Sequence, residues 1–167
     1  MFFTVRLLET AGDINATEAL QRAVWGDESY VPGHVLVTAA HNGGLVAGAF
    51  VEGRLVGFVW GFLGWDERVH PPRLKHCSHM LGVLPTFRSS GIGEALKRFQ
   101  YEYVRGQGLS LITWTYDPLL ATNARLNIAK LGAVCNVYLP EAYGRLGDDL
   151  NAGQVTDRFQ VDWWIAS

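Results

Sequence analysis

A chain of 167 residues, 49% hydrophobic and 12% aromatic, is long enough to bury one core and too apolar to be disordered. A formal charge of −2 and a pI near 6.2 give no basic face, so no nucleic acid is expected as a partner. Cys77 and Cys135 stand far apart with no Cys-x-x-Cys companion, which argues against a disulfide framework or a zinc knuckle and leaves no metal site to expect.

In chain order, Phe3 to Leu8 predicts a first strand. Arg6 and Glu9 interrupt the apolar start well short of a signal or spanning segment, so a cytoplasmic protein without membrane contact is expected. Asp13 to Glu18 is a polar helix entrance, after which Ala16, Leu20, Ala23 and Val24 share a face until Gly26. Tyr30 to Gly33 reads as a turn and Val35 to His41 as a short helix stopped by Asn42-Gly43-Gly44. Leu45 to Glu52 and Arg54 to Leu63 predict a hairpin turning at Glu52-Gly53. Gly64 to Arg73, with Pro71-Pro72, predicts a loop, and His76 to Leu84 the next strand. In the helix that follows, Ile92, Ala95, Leu96, Phe99 and Tyr103 form the apolar face, while Glu94, Lys97, Arg98 and Arg105 are expected largely elsewhere. Ser110 to Tyr116 predicts a strand, Asp117-Pro118 a turn into a helical run ending at Lys130-Leu131-Gly132, and Ala133 to Leu139 another strand. A long polar segment, Pro140 to Asp157, precedes the closing strand Arg158 to Ile165. No repeat or composition shift divides the chain, so residues 1–167 are expected to form one domain.

The most informative stretch is Val83 to Gly93, Val-Leu-Pro-Thr-Phe-Arg-Ser-Ser-Gly-Ile-Gly, set between a strand and a helix. Its glycines let the backbone approach a ligand closely, and the free amides of a helix start attract anions. The spacing fits neither a Walker loop nor a dinucleotide fingerprint. Taken alone, Arg88 to Gly93 is compatible with a phosphate site or with a glycine-rich helix start that binds nothing. Its form, Arg/Gln-x-x-Gly-x-Gly/Ala after Val-x-Pro, resembles the signature of the GNAT superfamily of acyl-CoA N-acyltransferases. The element order matches that superfamily over nearly the whole chain, down to Leu131-Gly132, where the family usually writes Leu-Gly-Phe.

The resemblance implies an α/β (α+β) fold with a mixed, mostly antiparallel sheet of about seven strands, flanked by about four helices and splayed between strands 4 and 5. It implies an N-acyltransferase that moves an acyl group, acetyl or succinyl, from acetyl-CoA or another acyl-CoA to a primary amine of a small molecule such as an amino acid. A subgroup of predicted members linked to amino-acid N-acylation shares the Asp-Pro-Leu, Leu-Gly-Ala and Thr-Asp-Arg-Phe elements. The alternative is a non-catalytic acyl-CoA-binding domain. By resemblance, Arg88, Ser89, Ser90, Gly91, Ile92 and Gly93 would hold the pyrophosphate, and Leu81, Gly82 and Val83 the pantetheine arm and thioester oxygen. Gly82 within a strand also suggests a bulge or a packing gap.

His79, nine residues before Arg88, is the candidate base, because some members carry a histidine at that offset and imidazole titrates near neutrality. Cys77 occupies the offset where others carry glutamate, and His70 and His76 are weaker candidates. The family's proton-donating tyrosine position is Ile128, and its asparagine position is Ala121. Tyr116, Tyr138 and Tyr143 are substitute acids, with Tyr138 the candidate, and Asn123 would contact pantetheine or cap its helix. Tyr143, Arg145 and Arg158 are expected at the acceptor, although Asp148 and Asp149 would favour a cation there. A homodimer is expected from the family.

Overall fold

The computed structural model describes residues 2–27, 29–144 and 156–165. Among the described residues fourteen segments of regular structure are found, of which seven are strands that form one sheet in the order β1-β2-β3-β4-β5-β7-β6. The strands are β1 (Thr4–Leu7), β2 (Leu45–Val51), β3 (Arg54–Asp66), β4 (Arg73–Val83), β5 (Leu111–Tyr116), β6 (Val134–Leu139) and β7 (Arg158–Trp164). Every neighbouring pair is antiparallel except β4 and β5.

The first predicted helix is two, α1 (Ala11–Asn15) and α2 (Thr17–Trp25), and α1 is capped by the Thr10 hydroxyl accepting from the Asp13 amide. Helix α3 (Gly33–His41) follows, then α4 (Ile92–Gly106). The last helix, α5, opens as a short α turn (Ala121–Ala124) and continues as a π turn (Arg125–Lys130). The predicted loop Gly64 to Arg73 is shorter than expected. Gly64, Trp65 and Asp66 extend β3, and β4 starts at Arg73, because the ladder continues to the pair Asp66 and Arg73. Only the segment around the Pro71-Pro72 pair stays outside the sheet, where proline lacks the donor a ladder needs.

Two apolar clusters fill the fold. One, with Phe58, Val59, Leu36, Ile92 and Leu96, packs β1 to β4 between the helices. The other, with Val104, Ile112, Trp114, Val161 and Trp163, packs β5 to β7. Helix α4 contributes to both, Ile92 and Leu96 to the first and Val104 to the second. Arg68, in the β3–β4 turn, binds Asp66 at 2.7 Å and Asp162 of β7 at 2.7 Å, fastening the two halves of the sheet together. These two carboxylates raise the Arg68 pKa further, so the clamp is charged at all working pH.

Candidate active site

Strands β4 and β5 are paired only at His76 with Ile112 and Cys77 with Thr113. Beyond Cys77 they part, and the sheet opens as a fork. Along this stretch β4 keeps its ladder with β3, through Gly82 opposite Phe58 and Leu81 opposite Val59. The Leu84 amide donates to the Val56 carbonyl at 2.9 Å. By the alternation of an antiparallel ladder, Gly82 and Met80 therefore also bond toward β3, whereas the backbone groups of Leu81 and Val83 turn toward the fork. Leu81 and Val83 thus present backbone groups to the fork, and Gly82 answers a different need. A Cβ on Gly82 would lie 2.7 Å from the Trp25 ring, so its absence admits α2 against the sheet.

The register shift in β4 falls at His79, which is the extra residue between the pairs Trp60 with Met80 and Gly61 with Ser78. The bulge puts His79 beside Trp60, with ring centroids 5.1 Å apart, and Phe62, at 5.9 Å. Its side chain remains accessible, yet these rings desolvate it enough to lower its pKa below the ordinary histidine value. His79 is therefore mainly the neutral, proton-accepting form at pH 7. The buried indole N–H of Trp60 has no partner among the described residues.

At the open end of β4 the chain makes a 3₁₀ turn, Pro85–Phe87, and then enters α4. Ser89 has φ +62° and Gly91 φ +88°, two left-handed residues within three that swing the chain into the helix. The first helical bond runs from the Ala95 amide to the Gly91 carbonyl at 3.0 Å, which leaves the amides of Ile92, Gly93 and Glu94 without helical acceptors. The Ser90 hydroxyl donates to the Phe87 carbonyl at 2.6 Å, and Arg88 Nε reaches the Val83 carbonyl at 3.4 Å. Ile92 is buried, so only its backbone faces a ligand. A Cβ on Gly93 would have only Leu81 nearby, at 3.7 Å. These donors fit a pyrophosphate, and the free edge from Val83 back to Ser78 spans about 16 Å of extended chain.

A cavity of about 150 Å³ opens where the strands part, walled by Cys77, Ser78 and His79 of β4 and by Thr113, Trp114 and Thr115 of β5. Tyr143 and Gln160 complete it. The Tyr143 hydroxyl shares a 2.7 Å hydrogen bond with Thr115, and the Arg158 guanidinium lies 5.6 Å from the Tyr143 ring centre. His79, Tyr143 and Arg158 are thus gathered near one mouth. Tyr138 is not. It sits on β6, two strands from β5, edge-on to Phe159 and donating its hydroxyl to the Asp157 carboxylate. That hydrogen bond, with burial, raises its pKa. Arg145, Asp148 and Asp149 lie outside the described residues.

Helix α5 departs from the register assumed in sequence. The π turn takes an extra residue, so stepping back four from Gly132 by α-helical spacing arrives at Ile128, which is 41% exposed, while Asn127 is 4% exposed. The N-cap is Leu120 with no side-chain cap, so Asn123 is not a cap. It is half-buried in the first turn.

Sequence reasoning missed a buried polar chain on the α4 side of the fork. Lys97, expected at the helix surface, is 4% exposed. Its Nζ donates to Ser78 Oγ at 2.7 Å and to Gln100 Oε1 at 3.3 Å, and lies 3.7 Å from the centre of the Trp114 ring. Gln100 in turn contacts His76 Nε2 at 3.0 Å, and among the described residues His76 Nδ1 has no partner. Burial pushes Lys97 down to about 7, and burial together with the Lys97 charge pushes His76 down to about 4. The available signal was the pair Lys97 and Gln100, one turn apart, with Gln100 inside the stripe Ile92, Leu96, Gln100, Val104 and Lys97 beside it.

No curated protein sequence matches the chain. Solved structures match its fold throughout. The ribosomal-protein-S18-alanine N-acetyltransferase of Escherichia coli is 16% identical, with a TM-score of 0.76 over 99% of this chain and 96% of that one. NAA60 of Arabidopsis thaliana in complex with a bisubstrate analogue is 16% identical, with a TM-score of 0.77 over 99% of this chain and 100% of that one. The yncA protein of Salmonella typhimurium with its cofactor acetyl-CoA is 17% identical, with a TM-score of 0.73 over 99% of this chain and 95% of that one. Residues 13–132, which carry the anion loop and the whole of β4, match the acetyltransferase (GNAT) family model. The chain belongs to the acetyltransferase (GNAT) family and is an acyl-CoA-dependent N-acyltransferase.

Proposed function

We infer that this enzyme acetylates a primary amine of a small molecule, such as an amino acid, at the fork between β4 and β5. The observation that carries this reading is the cavity of about 150 Å³ at the fork, which suits a small amine head group and has His79 in its wall. Arg88, Ser89, Ser90, Gly91, Ile92 and Gly93 hold the donor pyrophosphate, chiefly through backbone amides. The open groups of Leu81 and Val83 bond the pantetheine arm, and an amide there polarises the thioester oxygen. Asn123 supplies a further polar contact to the arm.

Mechanistically, the acceptor enters on the face that carries His79, Thr115 and Tyr143. Neutral His79 takes a proton from the amine as its nitrogen attacks the carbonyl carbon. Tyr143 and Arg158 orient the acceptor, and a carboxylate on it would match the Arg158 guanidinium. Acetyl is the donor group this reading favours, and succinyl is its competitor. Among the described residues no helix is long and apolar enough to cross a membrane. The protein works in the cytoplasm as a homodimer joined through an edge strand, which sedimentation at several concentrations tests.

The deciding experiment measures free thiol released from acetyl-CoA and succinyl-CoA against amino acids, polyamines and short peptides. Turnover with a small amine supports the reading. Turnover confined to peptides would replace the acceptor class, and silence with every pair in protein that binds CoA would sink the reading.

A further inference from the structure

Acyl transfer leaves an electron pair on the departing sulfur, which must find a proton at the fork. On the α4 side of the fork, Ser78 lines the cavity while accepting a 2.7 Å hydrogen bond from Lys97. We propose that the Ser78 hydroxyl protonates the departing thiolate and that Lys97 resupplies Ser78, a relay on the face of the fork opposite His79. The proposal rests on the acyl-transfer reading above.

Placement supports it first. Ser78 and Trp114 are the two cavity-wall residues that Lys97 touches, one on each diverging strand. Among the described residues the Ser78 hydroxyl accepts from Lys97 and donates to no protein atom, so its own proton is available to the cavity. His79 belongs to the other face, beside Trp60 and Phe62. Proton removal and proton return are therefore assigned to opposite sides of one cavity.

Energetics supports it second. Among the described residues Lys97 is a buried amine with no carboxylate partner, an arrangement that costs stability. A methionine would fill similar space without that cost. The groups facing Lys97 are Ser78 of β4, Gln100 of its own helix and the Trp114 ring of β5. His76, beyond Gln100, is neutral because its pKa is about 4. Tyr116 and Cys135, farther along β5 and β6, are kept protonated by burial. Glu94 on α4 is occupied by Arg98 and Lys130, and Asp162 of β7 by Arg68. With a pKa near 7, Lys97 holds a proton in part of the population and gives it up readily.

The step balances. The carbon–sulfur bond breaks and its electrons stay on sulfur. Sulfur takes the Ser78 proton while Ser78 Oγ takes one from the Lys97 ammonium, leaving a neutral amine that burial favours. The amine's proton leaves through His79 to water, and water at the cavity returns one to Lys97 through Ser78.

The test uses Lys97→Met and Ser78→Ala with acetyl-CoA and the amine that turns over fastest in the panel. Each is expected to lower kcat about 10- to 100-fold, with KM for acetyl-CoA within threefold. The double variant should be no worse than the worse single. Wild-type kcat should fall as pH rises through the Lys97 titration, and that limb should vanish in both variants. Lys97→Met should melt at or above the wild-type temperature, which a purely structural lysine would not allow. A readout without turnover is the affinity for CoA relative to desulfo-CoA, which should drop at least threefold in both variants. Either variant within twofold of wild-type kcat would overturn the relay and leave the acyl-transfer reading standing. If Lys97→Met does not fold, Ser78→Ala alone decides by the same threshold. A wild-type protein without turnover would remove reading and relay together.

Discussion

The anion loop and the fork lie at opposite ends of the same stretch of β4, yet they are built from different material. The loop is backbone: left-handed Ser89 and Gly91 aim the free amides of Ile92 and Gly93, and its side chains mostly serve the turn itself. The fork is side chains drawn from β3, β4, β5, α4 and the segment after β6, with each group conditioned by what buries it. The loop needs only charge complementarity to a donor shared by a whole family. In the proposed mechanism the fork discriminates one amine and manages protons, so it would carry what is particular to this chain.

The largest effect that separates the two should come from His79→Ala. With the base removed, kcat should fall about 100-fold while the affinity for CoA stays within threefold, measured by steady-state kinetics beside calorimetry. Normal kcat in that variant would take His79 out of the mechanism. The comparison would also break if donor affinity fell as far as kcat, because the two regions would then be one.

A second effect is pH-dependent stability arising from the fork alone. Lys97 has a folded pKa of about 7 against an ordinary 10.5, so the unfolded chain binds more protons between those values. Stability should therefore rise from pH 7 toward pH 10, and the Lys97 contribution to that rise should disappear in Lys97→Met. His76, at about 4 against 6.5, acts likewise, so stability present above pH 6.5 should be lost as pH falls toward 4. Denaturant melts across this range check both signs, and a Lys97→Met profile as steep as wild type above pH 7 would show that Lys97 is not the source.

The smallest effects are in the loop, and they have opposite signs. Gly91 sits at φ +88°, so Gly91→Ala should destabilise by about 1 kcal/mol even though a Cβ there would meet nothing. Gly93 has ordinary helical geometry, and Gly93→Ala should stabilise by about 0.5 kcal/mol. Chemical denaturation distinguishes them, and equal signs would mean that the left-handed turn is not what Gly91 provides.

The same difference in material explains what the sequence disclosed. Arg88 to Gly93 was legible because its determinants are local, with a strand, two glycines and a helix start in consecutive positions. The strand order and the splay followed from the family resemblance, and the extra β3 and β4 residues were missed because Pro71-Pro72 made the whole neighbourhood look like loop. The offset of His79 makes it a candidate in the sequence, whereas the bulge that displaces it depends on the β3 register. Lys97 was assigned to the surface because a lysine on an amphipathic helix normally belongs there. Only the parting of β4 from β5, with one apolar cluster on either side, makes room beneath the fork for a buried amine. The π turn of α5 was illegible for a related reason, since it is invisible to a count based on 3.6 residues per turn.

The central claim is that the α4 entrance holds the donor, and thermal melts with and without CoA on wild type and Gly93→Val test it most directly. A Cβ at Gly93 finds only ordinary contact within the protein, so the variant should fold with wild-type stability. The account predicts that CoA at 100 times its Kd stabilises wild type by about 2.7 kcal/mol and leaves Gly93→Val unshifted. Equal stabilisation of both proteins would contradict it.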